Sequence, residues 1–186
     1  LLVGTDNGLY VYQEGEPLLH VVHDSRNLQS LSNNITDYFA DREHNIWLGT
    51  DYGISLSRYN SALQFIPISQ ITGTGDGNQF YSLFRDSKGF YWFGGANGLI
   101  RFTDPAGERH DAIWYRMGDK TYPLSHNRIR HIYEDKEQQL WIATDGSINR
   151  YDYATRQFIH YNIVDNTGTY NTVSYTHLRA HETRHD

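Results

Sequence analysis

The chain has 186 residues, of which 20% are charged and 15% aromatic, with a formal charge of -6 at pH 7 and no cysteine. Disulfides and thiolate metal sites are thereby excluded, disorder is disfavoured, and there is no basic patch or run of like charge for nucleic acid. No apolar run approaches the roughly 18 residues that would span a bilayer.

Read in chain order, the sequence repeats itself. It opens on Leu2-Val-Gly-Thr-Asp-Asn-Gly-Leu9, a shortened copy of the stretch that follows as Asn45-Ile-Trp-Leu-Gly-Thr-Asp-Tyr-Gly-Ile54. The stretch returns as Phe90-Tyr-Trp-Phe-Gly-Gly-Ala-Asn-Gly-Leu99 and as Gln139-Leu-Trp-Ile-Ala-Thr-Asp-Gly-Ser-Ile148. Trp47, Trp92 and Trp141 stand 45 and 49 residues apart, a period expected of propellers and solenoids.

Each complete copy predicts four strands. A first strand holds Ile35, Tyr38 and Phe39, then Phe80, Leu83 and Phe84, then Ile129, Ile132 and Tyr133. Each leads to an aspartate (Asp41, Asp86, Asp135) six residues before its tryptophan, and a polar turn joins it to the tryptophan strand. A turn such as Thr50-Asp-Tyr-Gly53 feeds a third strand, Ile54–Tyr59 in the second copy. Weaker closing strands fall at Leu63–Ile68, Ile113–Arg116 and Phe158–Asn162. The extra length of Ile54–Arg58 over Leu99–Arg101 suggests a bulge there, and Asp104 to Pro123 reads as a loop.

Four short antiparallel strands per period of about 45 residues make a propeller blade. The fold expected is all-β: a partial β-propeller of about three and a half four-stranded antiparallel blades over residues 1–172, divided near 1–28, 29–73, 74–122 and 123–172. The tryptophan is expected to pack between neighbouring blades, and the repeated aspartates to cap turns rather than to act as a glycosidase pair.

The pattern Asp-x-x-Gly-Asn-x-Trp-x-Gly-Thr-x-x-Gly-Leu, led by Leu-Ser-x-Asn-x-Ile, resembles the two-component regulator propeller repeat. The leads here are Leu31-Ser-Asn-Asn-Ile35 and Leu124-Ser-His-Asn-Arg-Ile129, with Phe158-Ile-His-Tyr161 similar to the closing strand. That repeat builds the periplasmic sensor region of hybrid two-component histidine kinases, chiefly in Bacteroidetes. The resemblance implies a non-catalytic, periplasmic sensing segment that recognises oligosaccharides, needs no cofactor and belongs to a longer kinase chain, with a homodimer as partner arrangement. The turn glycine of the pattern is kept only at Gly89; His44 and Gln138 hold the place elsewhere.

The tail from Val173 to Asp186 places His177, His181 and His185 at intervals of four, a tempting metal face on a helix. The string resembles a translated sequencing adapter, so a non-native tail is expected there and no metal site is assigned.

In a blade, the turn between strands two and three lies at the same end as the segment entering strand one. Asn7, Asn33, Asn34, Asp51, Tyr52, Asn78, Asn97, His126, Asn127 and Asp145 would therefore ring one mouth with groups suited to sugar hydroxyls. The plain alternative is that turns simply need such residues. Two further readings stay open: a propeller lyase or glycosidase, for which His126 is the one break in the repeat, and a protein-interaction scaffold.

Overall fold

The computed structural model describes residues 1–12, 19–27, 30–51, 53–58, 63–67, 79–104 and 111–161, with 63–67 as backbone. All the regular structure there is strand: β1 (Leu2–Thr5), β2 (Gly8–Val11), β3 (Leu19–Val21), β4 (Ile35–Ala40), β5 (Ile46–Thr50), β6 (Gly53–Ser57), β7 (Leu63–Pro67), β8 (Phe80–Arg85), β9 (Tyr91–Gly95), β10 (Gly98–Phe102), β11 (Ile113–Tyr115), β12 (Ile129–Glu134), β13 (Leu140–Thr144), β14 (Ile148–Asp152) and β15 (Gln157–Tyr161). They form four antiparallel meanders in chain order: β1-β2-β3, β4-β5-β6-β7, β8-β9-β10-β11 and β12-β13-β14-β15.

The sheets stack face to face in sequence, so the core is a series of interfaces. Leu9 joins Leu31, Ile35 and Leu48 between the first two sheets. Trp47, Ile54 and Leu56 meet Phe80, Leu83, Tyr91 and Phe93 at the next. Trp92, Leu99 and Tyr115 meet Ile129, Ile132, Leu140 and Tyr151 at the third. Trp47 lies 5.1 Å from the Tyr91 ring, and Trp92 lies 5.0 Å from the Tyr151 ring, each reaching the following blade. Aromatic contacts of this kind add to the area they bury.

The repeated aspartates do more than cap turns. Asp41, Asp86 and Asp135 each accept the indole N–H of their own blade's tryptophan, at 2.9, 2.7 and 2.7 Å. Each also takes backbone N–H groups from the turn that follows, those of Asn45, Phe90 and Gln139 among them, at 2.8 Å. The following blade then adds a phenol. Tyr91 donates to Asp41 at 3.4 Å, and Tyr153 donates to Asp86 at 2.7 Å. Burial raises the Asp41 pKa, but the bonds from Trp47, Asn45 and Glu43 outweigh it and hold the carboxyl below its ordinary value.

The turn after each aspartate needs a left-handed residue. His44 (φ 63°), Gly89 (φ 91°) and Gln138 (φ 59°) occupy it, which explains the glycine of the repeat pattern and the strain where it is missing.

The bulge expected in Ile54–Arg58 is not found: β6 pairs with both neighbours in unbroken register. Bulges lie instead in the first strand of each complete sheet, between Ile35 and Asp37, Phe80 and Ser82, and Ile129 and His131. The residue after each of the first two bulges reaches the next blade. Asp37 accepts the Leu83 N–H at 2.7 Å, and Ser82 accepts the Ile132 N–H at 3.0 Å. A bulge turns one residue out of the ladder, so it re-aims its neighbours.

Candidate functional site

Pairing of Ile35 with Thr50, Phe80 with Gly95 and Ile129 with Thr144 puts the entry to each first strand beside the turn between strands two and three. The two sets of segments therefore lie at one end of each complete sheet. Threonines at its turns hold them closed: the Thr50 hydroxyl donates to the Gly53 carbonyl at 2.9 Å, and Thr5 and Thr144 bond Gly8 and Ser147 at 2.9 and 2.8 Å.

Several residues expected there have scaffold tasks. The Asn33 amide oxygen accepts the His23 N–H at 2.6 Å, and that of Asn127 accepts the Met117 N–H at 2.7 Å. Each stands two residues before the isoleucine that opens the first strand, and both latch the end of the preceding blade to the start of the next. Asp51 accepts the Ser32 hydroxyl at 2.8 Å, and His126 Nδ1 accepts the Arg128 N–H at 3.0 Å. Asp145 holds the Arg130 guanidinium through two contacts.

Asn7 and Asn97 are exposed, with their carbonyls taken by His20 at 2.7 Å and Arg116 at 3.1 Å; Asn34 is half-buried. Asn7 lies in the turn between β1 and β2 of the first sheet. Tyr52, Asn78 and the tail histidines lie outside the described residues. Among the described residues, no group of histidine and carboxylate side chains could hold a metal ion.

The sequence reading missed the bulged column. Thr36, Tyr81 and Arg130 occupy equivalent bulge positions, each 11 residues before its tryptophan. Asn34, Gln79 and Arg128 precede the same strands. At the junction of the third and fourth sheets these columns converge: Tyr81 donates to Gln79 Oε1 at 2.7 Å, and Arg128 reaches the Tyr81 hydroxyl at 3.5 Å and lies 5.7 Å from its ring centre. A clue was available, because chemistry varies sharply at these two columns while the flanking isoleucine or phenylalanine and the tryptophan persist.

The profile of the two-component regulator propeller matches residues 29–52, 74–97 and 123–146. The chain belongs to the two-component regulator propeller repeat family. Comparison with curated proteins finds no match. Among solved structures, the chain is similar to the extracellular domain of a proposed hybrid two component system from B. thetaiotaomicron, at 90% identity over 92% of this chain with a TM-score of 0.56. It spans 23% of that domain's chain. A second such extracellular domain from B. thetaiotaomicron is 24% identical over 90% of this chain and 24% of its own, with a TM-score of 0.65. A streptogramin B lyase shares the propeller fold at 14% identity over 87% of this chain and 49% of its own, with a TM-score of 0.61. The repeats and the stacked four-stranded sheets are thus those of a β-propeller, of which the described sheets form part.

Proposed function

We propose that the chain is a non-catalytic, ligand-sensing part of the extracytoplasmic propeller of a hybrid two-component histidine kinase, and that its ligand is an oligosaccharide met at the propeller mouth. The observation that carries the sensor reading is the 90% identity, over 92% of the chain, to an extracellular domain of such a system. The saccharide reading draws on the mouth itself, where amides, hydroxyls, a phenol and guanidinium groups gather at one end of the sheets.

The fold alone does not decide between sensor and enzyme. The three repeated carboxylates that could have formed a glycosidase pair are bound to indole and turn N–H groups, at the end of the sheets opposite the mouth. Signalling requires that the ligand bind two arrangements of the propeller with different affinity. A dimer of the kinase and a periplasmic location complete this reading.

Incubation of the chain with neutral and acidic oligosaccharides, followed by calorimetry and mass spectrometry, tests it. Binding with the sugar recovered intact is expected. Cleavage would overturn the non-catalytic reading, and failure of every sugar to bind would overturn the saccharide reading.

A further inference from the structure

We infer that the saccharide contacts are concentrated at the junction of the third and fourth sheets, with Tyr81 as the platform for a pyranose ring and Arg128 as the donor to its hydroxyls. This rests on the saccharide reading above and narrows it to two side chains.

The bulged column supplies the reasoning. A scaffold task shared by all blades would ask for one kind of side chain there, yet the column holds Thr36, Tyr81 and Arg130. The Thr36 hydroxyl is spent on the Phe80 carbonyl of the next blade. The Arg130 fork is spent on Asp145. Tyr81 makes neither kind of bond. Its hydroxyl is held between Gln79 Oε1 at 2.7 Å and Arg128 at 3.5 Å, and both partners belong to the lead-in column of the mouth.

The phenol is therefore oriented before any ligand arrives, which lowers the ordering cost of binding. Arg128 is exposed, and its guanidinium carbon lies 5.7 Å from the ring centre, near enough for one sugar residue to meet both groups. A pyranose has a face of C–H groups that suits an aromatic ring and a rim of hydroxyls that suits a planar set of N–H donors. Asn34 and Thr36 offer neither an aromatic face nor a cation at the corresponding place in the second sheet.

The test uses the full 186-residue chain and calorimetric titration with maltotriose, cellotriose, xylotriose and galactotriose in turn. For whichever trisaccharide binds, Tyr81→Ala is expected to weaken affinity about tenfold or more, Tyr81→Phe to stay within about threefold, and Arg128→Gln to weaken it about fivefold. Lys136→Ala, in an exposed turn at the opposite end, is expected to bind as the unaltered chain does. Circular dichroism of each variant separates loss of a contact from loss of fold. Unchanged affinity in folded Tyr81→Ala would overturn the subsite and leave the saccharide reading standing. No binding of any trisaccharide to the unaltered chain would overturn both.

Discussion

Replacing Asp86 by alanine tests the scaffold role of the repeated aspartates. Its carboxylate accepts Trp92 Nε1 at 2.7 Å, the Tyr153 hydroxyl at 2.7 Å, and the N–H groups of Lys88 and Phe90 at 3.0 and 2.8 Å. Trp92 is fully buried and Tyr153 half-buried, so alanine leaves an indole and a phenol without acceptor. A buried donor left unpaired costs ~1–3 kcal/mol; Trp92 bears that in full, while the half-buried Tyr153 can turn to water and adds at most ~1 kcal/mol, so a loss of ~1–4 kcal/mol is predicted against a total stability of ~5–15 kcal/mol. The turn N–H groups are nearer to solvent and add less.

Asp135 is the internal control. Its indole partner Trp141 is only half-buried and can turn to water, so Asp135→Ala should cost no more than about 2 kcal/mol. Urea unfolding followed by tryptophan fluorescence gives both values. The reasoning fails if Asp86→Ala loses less than about 1 kcal/mol, or if the two alanine variants lose the same amount.

Other consequences can be checked in the same way. A Cβ at Gly94 would lie 2.4 and 2.8 Å from Ile129 Cγ2 and Cβ, so Gly94→Ala should destabilise by ~1–3 kcal/mol in urea melts through overpacking of the third and fourth sheets. Gln138→Gly, which relieves a left-handed glutamine, should instead raise stability by up to ~1 kcal/mol, and an unchanged or lower midpoint would contradict the strain assigned there. The Asp41 carboxyl is held below 3.8 in the folded chain, so its contribution is complete above that pH and is lost as pH falls through the folded value. Asp41→Asn should flatten that part of the acid-unfolding curve. Burial, aided by Asp41 and Glu43 against the opposing pull of Arg85, pushes the Tyr91 phenol up to about 12. Stability should therefore fall between its ordinary value of 10.0 and about 12, a loss that Tyr91→Phe removes.

Much of the scaffold was legible because each blade states its needs locally. Alternation, turn residues and the six-residue spacing of aspartate and tryptophan are short-range signals, and they predicted the strands to within a residue or two at most ends. The tryptophan between blades was also legible, since a large aromatic repeated once per period has few other places to be buried. The bulges were not. The length difference at Ile54–Arg58 pointed to the third strand, whereas the extra residue sits in the first, where it shifts register against the tryptophan strand.

That shift leaves Thr36, Tyr81 and Arg130 out of the ladder. Linear spacing places Asn33, Asn127 and Asp145 at the mouth, but only packing of one blade on the next assigns the two asparagines to His23 and Met117, and only the folding of the fourth sheet brings Asp145 to Arg130. Sequence alone determined the period, the strand order and the repeating Asp–Trp pair, because these arise within one blade. Tertiary structure decided that Tyr81 meets Arg128 across 47 positions of chain, because a contact between bulged and lead-in columns exists only once neighbouring sheets have stacked.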